Sequence, residues 1–310
     1  MDVKMPSQGR KFIIIGGAGL VGSAVARHLA DDGSAQVIIC DRLGSSASGK
    51  WANLPAKMAD LWAPEDLLTH LDRAWREVAG VLCFADAGHS AGDVDALFET
   101  SYHLPRRVWD YGVAKQRAIY WASSMQVYGD ATSDLSTDPN VIAGFQPKTA
   151  FGRAKQAFDY YAASQGKGPD AAPIATGFRL ASVYGRGEGH KGALASLPHR
   201  ALEHALADRP LALWEANRDW VHVEDAANVI AQIVLQGHAG FFDVGSGSLT
   251  SATAVAKASE VATGKALAIE ARSAPSDACA NQTAAADHSA LEKLGVAYTF
   301  RTMEAGLSPL

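Results

Sequence analysis

Cysteine is scarce in this chain of 310 residues: Cys40, Cys83 and Cys279 are the only three, odd in number and widely spaced. No CxxC pair or Cys/His cluster points to zinc. Cys40 and Cys83 each lie in an apolar run and read as small buried hydrophobes. Reduced thiols suit a cytoplasmic protein, which is the expected location. Long apolar runs are also missing, so no membrane span is expected. The opening MDVKMPSQGRK has no apolar core of a signal segment and reads as a short leader before the first strand. An excess of positive charge is lacking too. With 28 Lys and Arg against 33 Asp and Glu, the net charge is −5. That balance argues against nucleic acid and leaves room for a local basic pocket that takes a diphosphate. His89, His190 and His222 have no neighbours at ligand spacing, so no metal is expected. There is no internal repeat and no long linker.

What is present is a regular alternation. With 48% apolar residues the chain can bury one large domain or two unequal lobes. Short apolar runs predict strands at Lys11–Ile15, Gln36–Cys40, Gly80–Phe84, Arg117–Ala122 and Ile174–Phe178. Helical spacing predicts helices over Leu20–Asp31, Pro64–Val78, Val94–Tyr111 and Phe151–Ser164. Buried strands separated by helices imply an α/β fold: a doubly wound parallel sheet of the Rossmann type with a smaller C-terminal substrate-binding lobe. The sheet domain is expected over 10–184, with return segments near 219–245. The lobe is expected from 185–218 and 246–310. Within these parts, Leu194–Ala207 reads as helical, and Leu211–Trp214, Asp219–Val223 and Phe241–Val244 as strand-like. A further helix should start after Thr250 or Ser251 as its cap.

The strongest local signal is KFIIIGGAGLVG. Gly16, Gly19 and Gly22 stand between a strand and a helix. Glycine allows a tight turn and a close approach to a pyrophosphate, and the helix start offers free N–H groups. Gly16, Gly19, Leu20, Val21 and Gly22 are the expected contact set. Asp41, at the end of the second strand, is placed to accept a hydrogen bond from an adenosine ribose hydroxyl. Arg42 and Lys50 could instead hold a ribose 2′-phosphate. The expected cofactor is NADP, with NAD the alternative.

Three further motifs narrow the class. A strand runs into SSMQVYGD, with Ser123 and Ser124; FGRAK, Phe151 to Lys155, opens a helix; and FRLASVYG leads into GRGEGHKGALAS. Their order resembles the extended short-chain dehydrogenases that act on sugar nucleotides. EGHKGALAS, KWANLPAKMADLWAPEDLL, NRDWVHVEDAA and FFDVGSG are similar to segments of the ADP-L-glycero-D-manno-heptose 6-epimerases, and the likeness runs from about Lys11 to about Leu307. The resemblance implies hydride transfer from C6 of a nucleotide-linked heptose to a tightly held nicotinamide, and its return with inversion. It implies that Ser124 orients the hydroxyl, Lys155 holds the ribose, and Lys191 serves as a base. It places Asp60 and Leu61 near the adenine, and Ser90 near the ribose or the substrate. Ser182 would face the substrate, and Arg218 its diphosphate. The implied partner is a nucleotide-diphosphate sugar, ADP-heptose first, with a homo-oligomer left open.

The chain departs from that family at telling positions. Phe151 stands where the catalytic Tyr is expected, Ser182 replaces an amide side chain, and Ser101 in ETSY replaces an Asn. A C-terminal substrate Tyr is not evident around Ala278–Gln282. Two readings of Phe151 stand side by side. One is an introduced Tyr→Phe exchange that traps ligand. The other is natural divergence, with Lys191 and a water moving the protons. Three functions follow: an epimerase, another redox enzyme on the same scaffold, or a silent binding protein. Met125 and Gln126 stand where a dehydratase usually carries an acid, which argues against dehydration.

Overall fold

A computed structural model describes residues 9–31, 33, 35–86, 93–166, 172–274 and 284–308. The chain opens with β1 (Lys11–Ile15), α1 (Leu20–Ala30), β2 (Gln36–Cys40), β3 (Met58–Trp62), α2 (Leu67–Ala74) and β4 (Val78–Cys83). It continues through α3 (Val94–Phe98), α4 (Leu104–Lys115), β5 (Ala118–Ser124), α5 (Pro139–Gly144), α6 (Ala150–Ser164) and β6 (Ala175–Leu180). Seven strands form one parallel sheet in the order β10-β6-β5-β4-β1-β2-β3, β10 being Gly240–Val244. The order reverses between β1 and β4, the place where such sheets open a crevice at their carboxyl ends.

The two faces follow from the alternation of side chains along each strand. Phe12 and Ile14 of β1, Val37 and Ile39 of β2, and Tyr120 of β5 pack on one face, under α1 and the later helix α8 (Val223–Gln236). Ile13 and Ile15, Ile38 and Cys40, and Trp121 pack on the other, under α2, α4 and α6. Each fully buried Ile contributes about 1.5–3 kcal/mol, so slipping any strand by one residue would be costly. Cys40 and Cys83 are buried as expected, and burial pushes both thiols up to about 12.

Beyond the sheet lie β7 (Ser182–Tyr184), α7 (Leu197–Leu206), β8 (Leu211–Leu213) and β9 (Asn217–His222). They are followed by β11 (Leu249–Ser251), α9 (Ala252–Thr263), β12 (Ile269–Ala271), α10 (Ser289–Leu294) and α11 (Met303–Leu307). β11, β9 and β7 form a small sheet, and β12 pairs with β8. Ser251 is the cap of α9, its hydroxyl accepting from Ala254 N at 3.1 Å.

Several expected boundaries move. The helix expected over Pro64–Val78 stops at Ala74, because β4 already begins at Val78. The single helix expected over Val94–Tyr111 is broken by a π turn at Glu99–His103. β3 was not expected at all: it is an edge strand, and Trp62 is its one buried residue, so no apolar run marks it. α5 was also unexpected; Asp138 caps its single short run. α8 has no boundary of its own in the sequence, because its apolar stripe follows β9 without a break, His222 ending the strand and capping the helix.

Candidate active site

The glycine turn sits at the reversal point. Gly16 N donates to Cys40 O at 2.9 Å, and Gly19 N to Gly16 O at 3.0 Å. Gly16 has φ +81°, and a Cβ there would meet Ala85 N at 2.5 Å, so the turn lies flush on the chain leaving β4. A Cβ on Gly22 would strike Gly16 O. Gly19 caps α1 without a side chain, so no side-chain acceptor consumes the N–H groups of the first turn at Leu20, Val21 and Gly22. The end of β2 supplies Asp41, whose Oδ2 accepts from Ala18 N at 2.9 Å and whose Oδ1 lies 2.6 Å from Lys50 Nζ. Arg42 points elsewhere: its Nε donates to Glu65 Oε1 at 2.7 Å on the exposed surface. Asp60 accepts from Leu61 N and from the Trp62 indole, both at 2.8 Å, and Asp60 and Leu61 lie exposed on β3. A nicotinamide dinucleotide fits this donor set. The helix cap carries no side chain, and a carboxylate and an ammonium stand together beyond the end of β2.

Ser124 ends β5, and its Oγ accepts from Gln126 N at 3.2 Å. Thr149 caps α6 through Gly152 N at 3.0 Å and so sets the angle at which that helix approaches the strand ends. Phe151 and Lys155 lie one turn apart on α6, both buried, with Lys155 Nζ 5.3 Å from the centre of the Phe151 ring. The same amine lies 3.4 Å from Asp86 Oδ2. Phe151 packs against Leu97 and Ala154.

The EGHKG loop is tied to the cofactor turn. Asn53 Nδ2 donates to Ala18 O at 3.1 Å and to Gly187 O at 2.9 Å. Within the loop, Glu188 is fully buried and accepts from Gly185 N at 3.0 Å, Ser196 N at 2.8 Å and Ser196 Oγ at 2.7 Å. Lys191 Nζ is its fourth donor. Burial holds the His190 imidazole below its usual value, although its Nδ1 lies 2.9 Å from Gly187 O. Ser182 pairs with Trp220 across β7 and β9, and Arg218 lies opposite Thr250 across β9 and β11. Both are partly exposed. Ser90, His89, Cys279 and 278–282 fall outside the described residues.

A buried ionic network braces the same strand ends from the α6 side. Arg179, with no exposed surface, donates to Asp159 Oδ2 at 3.1 Å and to Tyr128 Oη at 3.0 Å. Tyr128 and Ser133 donate in turn to Asp243, at 2.7 and 2.6 Å. Burial raises both the Asp243 carboxyl and the Tyr128 phenol. Ser123 also gives its proton to Asp159, at 2.8 Å, so it belongs to this brace, whereas Ser124 caps the turn that follows.

Residue reasoning missed Asp86, Asn53, Glu188 and Arg179. A lone acid in FADAG was the available signal for Asp86. Glu188 lies inside EGHKG, but nothing in that string shows that its carboxylate is buried. Among the described residues no group of three or more His, Cys, Asp or Glu could hold a metal, and no helix is long and apolar enough to cross a membrane.

A parallel sheet with a glycine turn at its reversal point, a serine at the β5 end and a lysine on α6 defines a Rossmann-type, nicotinamide-dependent enzyme. The chain belongs to the NAD dependent epimerase/dehydratase family, whose model matches residues 12–245. It is similar in fold to the Helicobacter pylori ADP-L-glycero-D-manno-heptose-6-epimerase, with 21% identity, TM-score 0.80, and 99% and 96% of the two chains covered. The UDP-N-acetylglucosamine 4-epimerase of Methanobrevibacter ruminantium gives 18% identity and TM-score 0.82 over 97% and 96%. The Thermus thermophilus UDP-glucose 4-epimerase, solved with NAD, gives 22% identity and TM-score 0.77 over 96% of each chain.

Proposed function

We propose that this protein inverts one carbinol centre of a nucleotide-diphosphate sugar, with C6 of an ADP-glycero-manno-heptose the first substrate to test. The observation that carries this reading is the Asn53 bridge, which docks the loop of Lys191 on the glycine turn. That loop is the segment most specific to the heptose epimerase resemblance, and the bridge sets it beside the cofactor turn. A bound nicotinamide supplies reversible hydride acceptance. The chain does the rest. The first turn of α1 holds the pyrophosphate, and Lys155 the nicotinamide ribose. Ser124 orients the sugar hydroxyl. Lys191 moves a proton on one face of the sugar. Arg218, Ser182 and Ser90 bind the substrate, Arg218 through its diphosphate. Asp60 and Leu61 border the adenine.

At the adenosine ribose, Lys50 is the cation for a 2′-phosphate and makes NADP the first cofactor to test. Asp41, 2.6 Å away, favours a free 2′-hydroxyl and makes NAD the second reading. Denaturing the purified protein and identifying the released dinucleotide tests the assignment, followed by thermal shifts with ADP- and UDP-sugars. Release of a nicotinamide dinucleotide and a shift with ADP-sugars support the reading. A protein that is empty and unmoved by either cofactor removes it.

A further inference from the structure

With phenylalanine at 151, α6 presents no phenol to the cleft, yet the lysine that would accompany one remains. Its amine is committed to Asp86 at 3.4 Å. The side chain of Lys155 is 5% exposed and that of Asp86 29%, so the ammonium is shielded while the carboxylate keeps some exposed surface. The register shows where that carboxylate stands. The last pair of β4 with β5 is Cys83 with Trp121. Moving the same distance along both chains leads from Cys83 to Asp86 and from Trp121 to Ser124. Both therefore leave the carboxyl ends of adjacent strands at one rim. Ala85, next to Asp86, is the backbone on which Gly16 packs, so the carboxylate also adjoins the cofactor turn.

Resting on the epimerase reading above, we propose that Asp86 takes the proton from the sugar hydroxyl, in the role that a phenol at residue 151 would otherwise fill. The step balances. The O–H bond breaks and its proton passes to the Asp86 carboxylate. The C–H bond breaks and its electron pair leaves with the hydrogen for the nicotinamide ring, and the carbonyl forms. In the return step the C–H bond re-forms on the opposite face and the Lys191 ammonium gives its proton to the alkoxide; one proton then passes through solvent from the Asp86 acid to the Lys191 amine, which restores both. Lys155 places its ammonium 3.4 Å from that carboxylate and so holds it in position. The Phe151 ring lies near that ammonium and offers no proton of its own. Inversion needs proton transfer on two faces: Asp86 serves the side of Lys155, and Lys191 the side of its loop.

The test compares the protein as it stands with Asp86→Asn and with the double variant Asp86→Asn, Phe151→Tyr. Each is loaded with the dinucleotide and offered nucleotide sugars. Asp86→Asn should lower inversion by about 10²–10⁴-fold, the scale of one positioned acid/base. Dinucleotide affinity, measured by calorimetry, should stay unchanged. The double variant should recover much of the rate, since a tyrosine hydroxyl restores a proton carrier. Infrared difference spectra on adding sugar should show a protonated carboxyl band that is lost in Asp86→Asn. Full turnover in Asp86→Asn, or a loss matched by equal loss of dinucleotide affinity, overturns the proposal and leaves the epimerase reading standing. Sugar-dependent reduction of the bound nicotinamide without inversion, abolished in Asp86→Asn, sinks the epimerase reading and retains Asp86 as base. If nothing is inverted or reduced and no carboxyl band appears, both fall.

Discussion

Lys191 Nζ lies 3.1 Å from Oε2 of Glu188, a carboxylate with no exposed surface. Glu188 is fixed by three further donors from Gly185 and Ser196, so it acts as a post and Lys191 as the arm attached to it. The arm is 28% exposed at its side chain, which leaves the amine within reach of a ligand in the cleft.

Lys191→Met should therefore lower turnover by about 10²–10⁴-fold while cofactor stays bound. Lys191→Arg should fail equally, because a guanidinium does not give up its proton in a protein. Glu188→Ala should also cost about 1–3 kcal/mol of stability, since it strands buried donors of Gly185 and Ser196. Steady-state rates and urea unfolding read these effects. Unimpaired turnover in Lys191→Met would remove the lysine from the reaction.

Gly16→Ala should abolish dinucleotide binding. Its φ of +81° costs an L-residue about 1–2 kcal/mol, and its Cβ would press on Ala85. Calorimetry with NAD and NADP checks the first effect and thermal unfolding the second. A variant that binds either cofactor normally would show that the turn tolerates a side chain.

Lys50→Ala should weaken NADP by about 10- to 100-fold, the worth of a charge-assisted hydrogen bond, and leave NAD little changed. Equal losses for both would show that Lys50 acts through Asp41 and not through a 2′-phosphate.

α1 is clamped to α8 by Glu224, which accepts from Arg27 at 2.9 Å and faces His28 at 3.0 Å. The His28 hydrogen bond, then that of Arg27, lowers the Glu224 carboxyl from 4.5 to about 2 against the opposing effect of burial. A folded value below the unfolded one contributes stability that is full above pH 4.5 and is lost as pH falls toward 2. With a third of these side chains exposed, the contribution is about 1 kcal/mol after solvent screening. Glu224→Gln should thus be less stable at neutral pH and converge with the starting protein in acid. A constant difference at every pH would contradict the linkage.

Much of the fold was legible because its parts signal locally. The run Lys11–Ile15, the glycines after it and the helix from Leu20 each carry their own pattern, and β1 and β2 fall where expected. β3 escaped because an exposed edge strand has no apolar run to show. The pairing of Asp41 with Lys50 could be anticipated from nearness in sequence. The pairing of Asp86 with Lys155 could not, since it depends on how β4 and α6 meet in space. The pairing of Arg42 with Glu65 on the exposed surface was equally invisible, since the two lie on different segments. Ion pairs between distant elements leave no periodic trace, so sites built from them stay hidden until the chain is folded.

The most direct measurement follows an ADP-glycero-manno-heptose carrying deuterium at C6, incubated with the cofactor-loaded protein and read by NMR. Epimerisation through hydride return predicts the opposite C6 configuration with the deuterium kept at that carbon and no accumulation of reduced nicotinamide. Accumulation of a ketone with stoichiometric reduced cofactor, or an unchanged C6 centre, would contradict it.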